Sequence, residues 1–129
     1  MKIVLVTLFL FLTTIVTGCS SNDAEPIVVS VMSQQEAYEL LISGADVVII
    51  DVRTSEEFAA NHIPNSINWP LWEIENTYLQ PLFETDATLL IICQSGNRSR
   101  QATELLVERG FVTVYDIGGI ITWPGVIVR

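Results

Sequence analysis

Residues 93–99 read CQSGNRS, and they join an apolar run to a segment with helical periodicity. A cysteine in this position faces the backbone N–H groups of the following turn and the positive end of the next helix, which both favour its thiolate form. Cysteines in such surroundings titrate at about 3.5 to 7.5 instead of 8.5. The sequence therefore predicts that Cys93 is a nucleophile at neutral pH.

The residues after Cys93 are predicted to bind a small anion. Gly96 permits the backbone to turn with its N–H groups inward, and Asn97 tolerates a left-handed conformation, so that the loop can form an anion nest. Arg98 adds a forked donor for a sulfonate-like oxyanion. The complete predicted loop consists of Gln94, Ser95, Gly96, Asn97, Arg98 and Ser99.

The elements around this loop predict an α/β fold with a parallel sheet. Apolar runs at 27–31, 47–50 and 88–92 do not alternate with polar residues, which is typical of strands buried on both faces. Segments 35–44 and 100–110 have apolar residues at spacings of three and four, as helices on a sheet do. Another strand is predicted at 111–117. Ligands bind beyond the carboxyl ends of such strands, where Asp51, Cys93 and Gly118 are expected.

Local signals mark where two of the helices begin and where two end. Ser33 with Glu36, and Thr54 with Glu57, have the spacing of a capping box. Glycines at 44 and 110 are expected to end helices in a left-handed conformation.

The amino-terminal residues predict export. Lys2 precedes an uncharged run that suits a signal peptide better than a membrane span of roughly 20 residues. The run ends in VTGC, which resembles the lipobox of bacterial lipoproteins and implies cleavage after Gly18 and lipidation of Cys19. We therefore expect a signal peptide at 1–18, a lipidated tether at 19–26 and one domain at 27–129, anchored to the cell envelope and facing the periplasm or the exterior. An ordinary secretory peptide and an uncleaved anchor are the alternatives.

Charge restricts the possible partners. From Cys19 onward the chain has five arginines and no lysine against fifteen acidic residues, a formal charge of −10. This charge argues against nucleic acid and against an anionic membrane surface as partners, so the expected contact with a membrane is through the lipid anchor. Arg98 and Arg100 are expected to provide local attraction for an anion. If Cys19 is acylated, Cys93 has no disulfide partner in the chain.

Other residues that could do chemistry are expected to be structural. His62 lies in a turn-like segment, Asp51 beside Arg53 suggests an ion pair or a loop cap, and Trp69 and Trp72 are expected to pack. No HExxH, CxxC or histidine cluster suggests a metal, and no GxGxxG motif suggests a nucleotide, so no cofactor is predicted.

Three ordered motifs resemble those of rhodanese-like sulfurtransferases. CQSGNRS resembles their active-site loop, DVRTSEEFAANHIPNSINWPLWEI resembles the segment from an Asp-x-Arg strand end through a His-Ile-Pro turn, and YDIGGIITW resembles their Gly-Gly and Trp ending. The resemblance covers 27–129 and implies a five-stranded parallel sheet with helices on both faces. It assigns Cys93 as the nucleophile, residues 94–98 as the cradle, and Asp51 and Arg53 as a supporting pair.

The resemblance also implies a reaction without a cofactor. The Cys93 thiolate takes the outer sulfur of a small sulfur-containing anion such as thiosulfate, and the resulting persulfide passes it to cyanide, a thiol or a protein acceptor. The chain departs from the family at Asn65, where glycine is preferred, at the bulky Trp69 and Trp72, and in the short segment after Trp123.

Two alternatives to a sulfurtransferase are compatible with the fold. A persulfide carrier or thiol sensor would have the same loop without turnover. Phosphatases and arsenate reductases on the same fold are disfavoured, because their loops place five residues between cysteine and arginine, whereas this chain has four.

Overall fold

The computed structural model describes residues 28–76 and 83–129, and these form a five-stranded sheet in the order β1-β5-β4-β2-β3. Every neighbouring pair of strands is parallel. The strands are β1 (Ser30–Val31), β2 (Val48–Asp51), β3 (Ile67–Asn68), β4 (Thr88–Cys93) and β5 (Thr113–Gly119). The predicted five-stranded parallel sheet is confirmed. The predicted signal peptide and tether, including Cys19, lie outside the described residues.

Helices connect the strands, and each begins close to the carboxyl end of a strand. They are α1 (Gln34–Ile42), α2 (Ser55–Ala60), α3 (Leu71–Asn76), α4 (Asn97–Glu108) and a 3₁₀ turn (Ile120–Thr122). In the described parts of the chain, none of these helices combines the length and apolar character needed to cross a membrane.

The predicted helix ends are confirmed. Ser33 and Thr54 each accept a hydrogen bond from the backbone N–H three residues later, and the glutamate at that position returns one. Gly44 and Gly110 follow α1 and α4 with φ of 77° and 95°. A residue with a Cβ is strained at such angles, which explains the glycines.

The core forms on both faces of β4. Leu89, Ile91 and Cys93 point to the face covered by α3 and α4, whereas Leu90 and Ile92 point to the face covered by α1 and Trp123. All five β4 residues are at most 1% exposed. Burial of one such aliphatic side chain stabilises the fold by about 1.5–3 kcal/mol. Cys93 is thus held at the end of the most deeply buried strand.

The prediction that the first apolar run is buried on both faces is wrong. Among the described residues of this run, 28–31, only Ser30 and Val31 pair with β5, and Val31 is 75% exposed. The physical reason for this exposure is that β1 lies at the edge of the sheet and has a single neighbouring strand. No helix follows the 3₁₀ turn in residues 123–129, and Val128 instead forms an antiparallel bridge with His62.

The predicted ion pair between Asp51 and Arg53 is confirmed, and it is buried. Both residues are at most 1% exposed, and Nη2 of Arg53 lies 2.7 Å from Oδ2 of Asp51. The same guanidinium donates to the carbonyl oxygen of Asn61 at 2.6 Å and to Oε1 of Gln94 at 3.4 Å. Removal of one partner from a buried ion pair leaves an uncompensated charge, which typically costs 3–5 kcal/mol.

We expect Arg53→Met to lower the free energy of unfolding by about 3–5 kcal/mol, because the Asp51 carboxylate would stay buried without its counter-ion. Urea unfolding followed by circular dichroism measures this loss. Arg100→Ala is the matched control, since Arg100 pairs with Glu104 on the surface and such pairs contribute about 0–1 kcal/mol. A loss at Arg53 no larger than that at Arg100 would contradict this role of the pair.

Candidate active site

The site is built where β4 ends and α4 begins. Cys93 is the last residue of β4, residues 94–96 form the loop, and α4 begins at Asn97. The register between β4 and β5 shifts at this point: Ile91 pairs with Asp116, but Cys93 pairs with Gly119. The extra residue in β5 changes the path of the two strands beside the cysteine.

Hydrogen bonds converge on the sulfur of Cys93. The N–H of Gly96 donates to Sγ at 3.0 Å, and the hydroxyl of Ser99 lies 3.6 Å from it. Burial raises the pKa of the Cys93 thiol, but the hydroxyl of Ser99 and the backbone N–H groups of Ser99, Gly96 and Ser95 outweigh it, so that the pKa is lower than usual. The direction of this shift agrees with the prediction from the sequence.

The left-handed residue of the loop is Gly96, with φ of 103°. Asn97 was expected to tolerate a left-handed conformation. It does not adopt one, because it is the first residue of α4. Gly96 caps α4 without a side chain. Gly96 is thus the one residue of 94–97 with a left-handed backbone, and its N–H donates to Sγ.

The end of β5 packs directly on the loop. A Cβ on Gly119 would overlap the carbonyl oxygen of Gln94 and would lie 2.6 Å from Cα of Ser95. The carbonyl oxygen of Gly119 accepts a hydrogen bond from Nε2 of Gln34 at 2.6 Å. Glycine is thus required at 119 for the loop to keep its position. Sequence reasoning did not assign this role, although two glycines at a strand end were a usable signal.

Arg98 is paired with Glu57 of α2. Its Nη1 and Nη2 donate to the two carboxylate oxygens at 2.7 and 2.8 Å. The Arg98 guanidinium lowers the pKa of Glu57 to about 2, and the same pair raises the pKa of Arg98. Sequence reasoning found only the capping role of Glu57, because no local pattern connects residues 41 positions apart.

The prediction that Arg98 and Arg100 attract an anion has to be corrected, because a carboxylate pairs with each of them. Arg98 is neutralised by Glu57, and Arg100 donates to Glu104 at 3.3 Å. Arg53, the other arginine near the loop, is neutralised by Asp51. The groups at this loop that favour negative charge are therefore mainly the backbone N–H groups and the amino-terminal end of α4.

The structural roles of His62 and Asn65 are confirmed. His62 lies in the turn after α2, where its Nδ1 is 2.9 Å from the carbonyl oxygen of Phe58 and its ring stacks on Phe58 at 4.2 Å. Asn65 adopts a left-handed φ of 62°, as expected where the family prefers glycine. In the described part of the chain, no group of three or more His, Cys, Asp or Glu side chains is arranged to hold a metal ion.

Trp69 and Trp72 differ in burial. Trp69 is buried and packs against Phe83 with a centroid separation of 6.5 Å, so the packing prediction is confirmed for it. The same prediction is wrong for Trp72, which is 59% exposed. Trp72 is on the outer side of the short helix α3, whereas Ile74 fills the core position.

We expect Ser99→Ala to raise the pKa of the Cys93 thiol, because the variant loses the hydroxyl that lies 3.6 Å from Sγ and lowers this pKa. The measurement is the rate of iodoacetamide alkylation as a function of pH, and its inflection should move to higher pH. Ser95→Ala is the control, since the backbone N–H of Ser95 remains and the inflection should not move. An unchanged inflection in Ser99→Ala would show that the hydroxyl does not stabilise the thiolate.

Comparison with known proteins identifies the family. The model of the Rhodanese-like domain matches residues 33–123. The chain is 34% identical over 90 residues to thiosulfate sulfurtransferase GlpE of Pseudomonas savastanoi pv. phaseolicola, an alignment that covers 69% of this chain and 81% of the relative. It is 36% identical over 102 residues to the adenylyltransferase and sulfurtransferase UBA4 of Debaryomyces hansenii, with 71% of this chain but only 23% of that longer protein covered.

A solved structure agrees with this assignment. The human single-domain sulfurtransferase TSTD1 superimposes with a TM-score of 0.64 at 30% identity, covering 71% of this chain and 91% of the human chain. The matched residues 33–123 contain the Cys93 loop, the Asp51–Arg53 pair and the Gly119 contact described above. The chain therefore belongs to the rhodanese-like domain family.

Proposed function

We propose that this chain is a rhodanese-type sulfurtransferase in which Cys93 carries sulfane sulfur from a donor such as thiosulfate to an acceptor. The observation that carries the proposal is the hydrogen bond from the Gly96 N–H to Sγ at 3.0 Å, at the end of the central strand. This contact stabilises Sγ as the attacking thiolate and again as the thiolate released when the persulfide is cleaved. The name of the Pseudomonas relative supports the same class of reaction.

In the first half-reaction the Cys93 thiolate attacks the outer sulfur of the donor. A bond forms between Sγ and that sulfur, the bond to the sulfite sulfur breaks, and its electron pair leaves with sulfite. The product is a Cys93 persulfide. The lowered pKa of Cys93 increases the fraction of thiolate, the form that attacks without a separate base.

In the second half-reaction cyanide or an acceptor thiolate attacks the outer sulfur of the persulfide. The bond to Sγ breaks, and its electron pair restores the Cys93 thiolate. Two half-reactions at one sulfur predict ping-pong kinetics. Arg98 uses two of its five N–H donors for Glu57, and in this proposal the others hold an oxygen of the donor.

We expect the full-length protein to gain one sulfur atom when it is exposed to thiosulfate and to lose it on addition of cyanide. Intact-mass spectrometry measures both steps, and peptide mapping assigns the sulfur to Cys93. Cys93→Ser should abolish loading while the fold persists, because a hydroxyl of similar size is not ionised at neutral pH. Cys19→Ser is the matched control, and it should load as the native protein does.

The outcomes of this experiment separate the possible functions. Repeated turnover of thiosulfate supports an enzyme, whereas a single loading that waits for a partner supports a persulfide carrier. Sulfur transfer by Cys93→Ser, or hydrolysis of a phosphate ester without any sulfur loading, would refute the sulfurtransferase proposal.

We propose further that the chain is exported and held to the cell envelope by lipid on Cys19. The support is the VTGC sequence, its apolar leader and the polar residues that follow. In this proposal the domain faces the periplasm or the exterior.

We expect Cys19→Ala to leave either an uncleaved precursor or a soluble chain, because the acyl groups are the proposed anchor after cleavage. Membrane fractionation combined with the mass of the amino-terminal peptide checks this. Cys93→Ala is the matched control and should remain in the membrane fraction. A cleaved Cys19→Ala chain that stays in the membrane would contradict the lipoprotein proposal.

A further inference from the structure

The side chain of Gln34 connects α1 to the carboxyl end of β5. Gln34 is the first residue of α1 and is half-buried, and its Nε2 donates to the carbonyl oxygen of Gly119 at 2.6 Å. Ala37 of α1 packs with Leu90 and Ile92, on the face of the sheet opposite α4. The hydrogen bond therefore joins a helix on one face of the sheet to the strand end that borders the cysteine loop.

Gly119 is in close contact with the cysteine loop. It pairs with Cys93 in the sheet. A Cβ at position 119 would lie 2.6 Å from Cα of Ser95 and would overlap the carbonyl oxygen of Gln94. Because the two backbones are packed without a gap, a displacement of Gly119 has to be followed by the loop or has to open a void beside it.

Gly118 is in contact with two groups that surround the sulfur of Cys93. A Cβ on Gly96 would lie 3.6 Å from Cα of Gly118, and the hydroxyl of Ser99 lies 3.4 Å from the carbonyl oxygen of Gly118. The N–H of Gly96 and the hydroxyl of Ser99 are among the groups that lower the pKa of the Cys93 thiol. The position of this glycine pair therefore bears on the distances from these donors to Sγ.

Three side chains in the described part of the chain hold the turn that ends β5. Oδ1 of Asp116 accepts the N–H of Gly118 at 2.9 Å, and the hydroxyl of Thr122 donates to the carbonyl oxygen of Gly119 at 3.2 Å. Both side chains are within three residues of their partners, so they fix the local shape of the turn. Gln34 is 85 positions from its partner and forms the shortest of the three bonds. It therefore fixes the turn relative to α1.

The residue type at position 34 serves this contact more than it serves the helix. The helix dipole favours a carboxylate in the first turn, and a glutamate would have the same length as the glutamine. An ionised carboxylate has no N–H, whereas the side-chain amide of glutamine has two. The neighbouring Gln35 is exposed and donates to Glu39 of the same helix at 2.9 Å. Of these two glutamines, Gln34 is the one that reaches β5.

We propose that Gln34 is a positioning residue for the Cys93 thiolate, acting through Gly119 and the cysteine loop. Its role in sulfur transfer rests on the proposed sulfurtransferase function. The side chain touches neither the sulfur nor the donor in this proposal. Loss of its hydrogen bond releases the end of β5 from α1, and the N–H of Gly96 and the hydroxyl of Ser99 then hold the thiolate less well.

The test compares Gln34→Met with Gln35→Met in the full-length protein. Methionine has a similar length and helix propensity to glutamine and adds no charge, so the substitution at 34 removes the donor alone. The inflection of iodoacetamide alkylation against pH should move to higher pH in Gln34→Met. Its kcat/KM for thiosulfate, with cyanide as acceptor, should fall by about tenfold, whereas Gln35→Met should change it by less than about twofold.

A second pair of variants, Gln34→Glu and Gln35→Glu, keeps the test decisive should methionine impair folding. Both add the same charge to the first turn of α1, where the helix dipole favours it, so neither should lower the free energy of unfolding in urea. Gln34→Glu loses the N–H donor and should again show the higher inflection and the larger loss of kcat/KM. The comparison between the two positions separates this loss from the effect of the added charge.

The outcomes separate the role of Gln34 from the reaction. An unchanged alkylation inflection in both Gln34 variants overturns the positioning proposal, and sulfur loading by the native protein then leaves the sulfurtransferase proposal intact. Equal changes at positions 34 and 35 also overturn it, because the effect would then belong to the helix end. A shift confined to Gln34, in a protein that never loads sulfur, supports the positioning of the thiolate and refutes the sulfurtransferase proposal.

Discussion

The buried ion pair between Asp51 and Arg53 connects the parts of the structure that form the site. Its guanidinium reaches the end of α2 through Asn61 and the cysteine loop through Gln94. The side-chain amide of Asn68, on β3, donates hydrogen bonds to the backbone carbonyl oxygens of Asp51 and Arg53 at 3.0 and 2.9 Å. The end of α2, β3 and the cysteine loop thus meet around residues 51–53, and each of the two buried charges would be uncompensated in an apolar interior without the other.

The chemistry at Cys93 depends on backbone groups more than on charged side chains. A protein with this acidic composition presents an unfavourable potential to an anion. The arginines around the loop do not reverse it, because Asp51, Glu57 and Glu104 neutralise them. The N–H of Gly96 is held in place by the fold and donates directly to Sγ. This arrangement stabilises a negative sulfur without a cluster of positive charge.

Glu57 connects the amino-terminal end of α2, which it caps, to α4, the helix that follows the cysteine loop. Its carboxylate accepts the Thr54 N–H at 2.9 Å and also both terminal nitrogens of Arg98. The position of the Arg98 side chain, in the first turn of α4, is therefore set by α2.

Much of the fold and the place of the proposed nucleophile follow from the sequence, because both depend on local patterns. The unbroken apolar run of β4, the helical spacing in α4, the two capping boxes and the glycines after α1 and α4 involve residues only a few positions apart. The family motifs add the position of Cys93 and the expected pairing of Asp51 with Arg53.

Other features were decided by tertiary structure. The Glu57–Arg98 pair, the contact of Gly119 with the loop and the exposure of Trp72 depend on which strands and helices become neighbours. The exposure of Val31 likewise follows from the edge position of β1, which its apolar sequence does not reveal. The physical reason is that periodicity records the character of one element, whereas the partner of a side chain depends on strand order and register across the sheet.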